Sequence, residues 1–129
     1  MESVPFIDLR YQTKKIEKEV KKRWDKVLNN SSFVLSEDLS LFEHEFSSFT
    51  GIKYATGLGN GGDAIEFLLR SLGLSQNSTV YLPVNTFIAT ATAVSRAGYK
   101  IKFVDVNQSD GLMNYEVLLN YNIKKIDAI

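Results

Sequence analysis

The sequence predicts an α/β fold with a mainly parallel sheet and flanking helices, preceded by an N-terminal arm and two helices. Three observations predict it. From Lys53 on, short apolar runs alternate with helical patterns in the order strand, helix, strand, helix, strand, helix, strand. A glycine-rich stretch, Thr56-Gly57-Leu58-Gly59-Asn60-Gly61-Gly62-Asp63-Ala64, joins the first apolar run to the first helical pattern of that series. Glycines then stand where helical patterns stop, at Gly51, Gly73 and Gly98. The organisation expected is an arm with two helices over residues 1–52 and an incomplete α/β ligand-binding domain over 53–129.

In order, Val4-Pro5-Phe6-Ile7-Asp8-Leu9 reads as an extended apolar arm. From about Tyr11, Ile16, Val20, Trp24 and Val27 recur at helical intervals, with a lysine-rich face between them that reads as solvated. Asn29 to Ser32 break this helix, and Phe33-Val34-Leu35 follows as a short apolar piece. Ser36 stands at an N-cap, with Glu37 and Asp38 where the helix dipole favours acids. Leu39, Phe42, Phe46 and Phe49 continue at helical steps and read as core, while His44 lies off that stripe and reads as exposed. Lys53 to Leu58 is a strand candidate. Ala64, Ile65, Leu68, Leu69 and Leu72 form one helical stripe. Thr79 to Leu82 is a strand, Phe87 to Ala97 a helix, Ile101 to Val106 a strand, Gln108 to Leu112 a turn and Tyr115 to Leu119 a short helix. Ile123 to Ile129 reads as the start of a further strand that ends abruptly, so a truncated protein or fragment is expected. An exposed strand edge would make such a chain poorly soluble.

Fifteen basic and fifteen acidic residues cancel, which leaves no net field to attract nucleic acid. There is no cysteine and one histidine, so disulfides, thiolate sites and His-rich metal sites are excluded. The N-terminus lacks the basic start and apolar core of a signal peptide, and no apolar run approaches the ~20 residues of a membrane span. A cytoplasmic location is expected.

Glycine allows sharp turns and close backbone approach, and a helix starting after such a loop directs free N–H groups and a positive dipole end outward. That suits phosphate. Gly57-Leu58-Gly59-Asn60-Gly61-Gly62 matches the dinucleotide pattern G-x-G-x-x-G. The acid expected at the end of the next strand is absent from Tyr81-Leu82-Pro83-Val84-Asn85, which disfavours a dinucleotide. Gly62-Asp63-Ala64 does not supply a Walker lysine. In a parallel sheet the loop and Phe87 would face one crevice at the carboxyl ends of the strands. A phosphate on the loop and a flat ring against Phe87 describe pyridoxal 5′-phosphate.

These segments, in this order, resemble the N-terminal part of the DegT/DnrJ/EryC1/StrS family, the pyridoxal phosphate-dependent nucleotide-sugar aminotransferases of fold type I. Pro5 to Leu9 resembles the family's arm, Phe33-Val34-Leu35 with Phe42 to Phe46 its second-helix region, and Tyr54 to Ala64 its phosphate loop. Pro83 to Thr90 resembles its ring-stacking segment, and Phe103 to Val106 the strand that follows.

The resemblance implies that Gly61, Gly62 and Asp63 lie at the cofactor phosphate, that Phe87 stacks on the pyridine ring, and that Tyr11 approaches the sugar-nucleotide site. It implies a nucleotide-linked keto-sugar and glutamate as substrates, a homodimer, and a product used in surface polysaccharide. Two positions depart from the family. Gly62 stands where a threonine or serine is usual, which removes one phosphate hydrogen bond worth about 1 kcal/mol. Ser36 stands where glycine is usual. The lysine that attaches the cofactor and the acid that pairs with its ring nitrogen have no counterparts in the matched segments, so no catalytic residue is assigned and the chain alone is expected not to transfer amino groups. A non-catalytic remnant or interaction module, and a sugar dehydratase, are the alternative functions.

Overall fold

The computed structural model describes residues 4–121. The strand expected from Ile123 to Ile129 lies outside them. The chain forms two compact units, Met1–Gly57 and Leu58–Ile129.

The first unit holds two helices, α1 (Arg10–Asn30) and α2 (Glu37–Thr50). Both ends of α2 follow from local chemistry. Ser36 Oγ accepts the Leu39 N–H at 3.3 Å, Glu37 and Asp38 occupy the first turn, and Gly51 closes the helix at φ 71°, in the left-handed region where glycine is favoured. Lys26 reaches Glu37 at 3.3 Å and Asp38 at 3.8 Å, linking the two helices by solvent-accessible ion pairs of small energy, with Asp38 partly buried.

The aromatic stripe of α2 is not core. Phe42, Phe46 and Phe49 are 51%, 45% and 87% exposed, and neither helix buries a residue. Helical periodicity aligned these side chains correctly, but among the described residues no element covers them. His44 is exposed. Lys53 to Leu58 is not a strand, because no described segment offers it a ladder. It runs as irregular chain, held where Glu43 Oε1 accepts the Gly57 N–H at 2.8 Å.

The second unit carries the α/β core. Its elements are α3 (Gly61–Ser71), β1 (Thr79–Pro83), α4 (Ile88–Arg96), β2 (Lys100–Val104) and α5 (Tyr115–Asn120). β1 and β2 pair in parallel, from Thr79 opposite Lys100 to Pro83 opposite Val104. β1 is buried over Val80, Tyr81 and Leu82, as expected for a parallel strand covered on both faces. On one face Val80 and Leu82 pack with Leu69, Ala91 and Val94 from α3 and α4. On the other, Tyr81 and Val104 pack with Leu118 of α5. Gly98, at φ 89°, turns the chain from α4 into β2. The second strand ends at Val104, short of the expected Val106, which instead bridges antiparallel to Met113 across the turn.

Candidate functional site

The glycine stretch is shorter as a loop than its sequence suggests. Helix α3 begins at Gly61, so Gly61 and Gly62 form its first turn, and Asn60 is the cap. Asn60 Oδ1 accepts the Asp63 N–H at 2.9 Å, and Asn60 Nδ2 donates to Asp63 Oδ2 at 2.8 Å. This reciprocal pairing has the logic of a capping box, and the spacing Asn60-x-x-Asp63 was its sequence signal.

None of Gly57, Gly59, Gly61 and Gly62 has a positive φ. Glycine here provides room, not an unusual turn. A Cβ on Gly59 would lie 3.3 Å from Asp63 Oδ2, and one on Gly62 would lie 3.1 Å from Asn60 Oδ1. A Cβ on Gly61 would meet nothing within 4 Å. Asp63 N–H is taken by the cap and Ala64 N–H bonds Asn60 O at 3.0 Å. The N–H groups of Gly61 and Gly62 have no acceptor among the described residues. They lie at the positive end of α3.

Phe87 immediately precedes α4 and is 77% exposed, so its ring is available to a ligand instead of filling the core. A cleft of about 300 Å³ is lined in part by Gly62, Asp63, Phe87 and Arg96. A neighbouring one of about 460 Å³ is lined in part by Gly61, Gly62, Phe87 and Thr90. The structure therefore brings Gly61, Gly62, Asp63 and Phe87 together. Thr86 Oγ1 donates to Thr90 Oγ1 at 3.1 Å beside them. Tyr11 belongs to the first unit, exposed near the start of α1, with Lys15 Nζ 4.5 Å above its ring.

A charged cluster links α3 to α4. Glu66 is buried, and its Oε1 accepts from Arg70 Nε at 3.0 Å. Its Oε2 lies 2.9 Å from Arg96 Nε, off the line of the N–H, so this contact is an ion pair without a hydrogen bond. Arg96 also stands 3.6 Å from Asp63 Oδ1. Sequence reasoning missed this cluster. The Glu66/Arg70 spacing is a helical i,i+4 pair and was readable; Arg96 lies on another helix, beyond any local pattern.

The residues present fit a phosphorylated heteroaromatic ring. Two free N–H donors at a helix N-terminus suit a phosphate, and an exposed aromatic face suits a flat ring. Among the described residues no lysine lines either cleft.

The sequence matches the DegT/DnrJ/EryC1/StrS aminotransferase family over residues 14–123. It is 34% identical over 95 residues to a dTDP-3-amino-3,6-dideoxy-alpha-D-galactopyranose transaminase of Aneurinibacillus thermoaerophilus, covering 74% of this chain and 26% of the relative. It is 33% identical over 105 residues to a UDP-N-acetyl-3-dehydro-alpha-D-glucosamine 3-aminotransferase of Acidithiobacillus ferrooxidans, covering 81% and 28%. Among solved structures it resembles DesV of S. venezuelae, with a TM-score of 0.88 and 26% identity over 99% of this chain and 34% of that one. It also resembles NtdA of Bacillus subtilis with bound cofactor PMP, at 0.75 and 30%, over 83% and 25%. The chain spans about a quarter of the length of the curated relatives it matches. Its fold is that of the fold type I aminotransferases, as far as the chain extends.

Proposed function

The chain belongs to the DegT/DnrJ/EryC1/StrS aminotransferase family, and from that premise we propose that it forms the phosphate- and ring-binding part of a pyridoxal phosphate-dependent enzyme acting on a nucleotide-linked keto-sugar. The observation that carries this reading is the convergence of the free Gly61 and Gly62 N–H groups and the exposed Phe87 ring on one cleft. In this role Gly61 and Gly62 hold the phosphate through their backbone. Asp63 fixes the first turn of α3 through Asn60, and Phe87 covers one face of the ring. When bound, the cofactor supplies an electron sink for moving an amino group. The chain's own contribution is to bind and orient it.

The sugar-amine relatives support a keto-sugar nucleotide as acceptor. Glutamate as donor, Tyr11 at the substrate, a homodimer, a cytoplasmic location and a product destined for surface polysaccharide complete the proposal. No described helix is long and apolar enough to cross a membrane.

Pyridoxamine 5′-phosphate tests the reading without reacting at surface lysines. Saturable binding that shifts the Gly61 and Gly62 amide resonances and weakens in Phe87→Ala is the expected result. Absence of saturable binding, or binding indifferent to Phe87, would overturn it.

A further inference from the structure

Asp63 serves helix α3 and opposes its ligand. An acid in the first turn favours the helix dipole and takes part in the Asn60 cap. The same carboxylate lines the cleft beside the free N–H groups, where it would repel a bound anion. Arg96 resolves the conflict. From the last turn of α4 its side chain stands 3.6 Å from Asp63 Oδ1 and 2.9 Å from Glu66 Oε2. Glu66 is only 6% exposed and is held on its other oxygen by Arg70. Arg70 also donates to the Arg96 carbonyl at 2.6 Å, so Arg96 is fixed at its backbone and at its head. Asp63, Glu66, Arg70 and Arg96 carry two negative and two positive charges, and the cluster is neutral.

We propose that Arg96 is a positioning residue that makes the α3 N-terminus selective for the phosphate of a phosphorylated cofactor: it neutralises Asp63, and Glu66 with Arg70 holds it in place. This rests on the cofactor reading above. Without Arg96 the cleft keeps the Phe87 ring face but loses one lining side chain and gains an uncompensated negative charge beside the phosphate. The effect falls on the phosphate and spares the ring.

The test is calorimetric titration of the wild type, Arg96→Gln, Arg96→Gln with Asp63→Asn, and Asp63→Asn alone. Each is titrated with pyridoxamine 5′-phosphate and with pyridoxamine, at low and high ionic strength. Arg96→Gln is expected to weaken the phosphorylated ligand on the order of tenfold at low salt, less at high salt, and to leave pyridoxamine unchanged. Adding Asp63→Asn restores most of the loss, which a structural role for Arg96 would not produce. Asp63→Asn alone strengthens phosphate-ligand binding severalfold, and it decides the matter if Arg96→Gln does not fold. Unchanged affinity in Arg96→Gln, equal loss of both ligands, or no rescue overturns the proposal while the cofactor reading stands. A wild type that binds neither ligand overturns both.

Discussion

Glu43 holds Gly57: its Oε1 accepts the Gly57 N–H at 2.8 Å, one helical turn beyond Leu39, whose Cδ1 would lie 2.5 Å from a Cβ on Gly57. One face of α2 thus fixes the chain leading to the glycine stretch, by a charged acceptor and by the Leu39 side chain, whose end would have to shift to admit a Cβ there. Glu43→Ala is expected to lower stability by about 1–2 kcal/mol, with faster amide exchange at Gly57, and Glu43→Gln by less. Urea unfolding and exchange at that amide check this. Equal exchange in both variants and wild type would count against it.

The Asn60 cap gives a second expectation. Asn60→Ala removes the acceptor of the Asp63 N–H and the donor to the Asp63 carboxylate, and costs about 1 kcal/mol. Asn60→Ser keeps an acceptor and recovers most of that. Thermal unfolding followed by circular dichroism would show the order wild type, Ser, Ala.

Neighbouring glycines should respond in opposite senses. Gly61→Ala meets open space and reduces backbone freedom in the unfolded chain, raising stability by up to about 1 kcal/mol. Gly62→Ala places a Cβ 3.1 Å from Asn60 Oδ1, so the capping oxygen must give by a few tenths of an ångström. The less stable variant is therefore Gly62→Ala. The reverse order in denaturant midpoints would show that the cap yields freely.

Asp8 supplies a pH dependence at the start of α1. Its side-chain bonds to Arg10, then the Arg10 backbone N–H, hold its carboxyl below the usual range against a small opposing effect of burial. A lowered folded pKa means that the contribution is complete above the unfolded value near 3.8 and is lost as pH falls through the folded one. Carbon-detected titration of Asp8 should give a midpoint below 3.8, returning toward it in Arg10→Ala. A midpoint unmoved by Arg10→Ala would exclude the arginine as its cause.

The legible parts of the fold were those set by neighbours in sequence. Ser36 and Gly51 bounded α2 because caps act within one turn. β1 and β2 were legible because each is a short apolar run between turn residues. Lys53 to Leu58 has the same composition, but a strand exists only by pairing, and a single segment does not carry its partner. The Phe42, Phe46 and Phe49 stripe shows which face of α2 is apolar; what covers that face is written elsewhere or not at all. At the site, the glycines and Phe87 were visible as types and spacing. The Asn60–Asp63 cap was present as spacing but was hidden by the glycines around it. Glu66 and Arg96 meet only because α3 packs beside α4, a relation that emerges from the sheet face on which both helices lie.

The parallel pairing of β1 with β2 sets when the cleft can exist. Phe87 and Ala89 lie within the connection that carries the chain from Pro83 to Lys100, while Gly61 and Gly62 precede both strands. Helix α3 can form its first turn from local interactions, but the opposite wall is delivered only when that long crossover closes. Closing a non-local pairing is slow compared with helix growth. Assembly of the cleft is therefore expected late in folding, and a ligand that grips both walls should slow its reopening, an effect to be read in the unfolding rate.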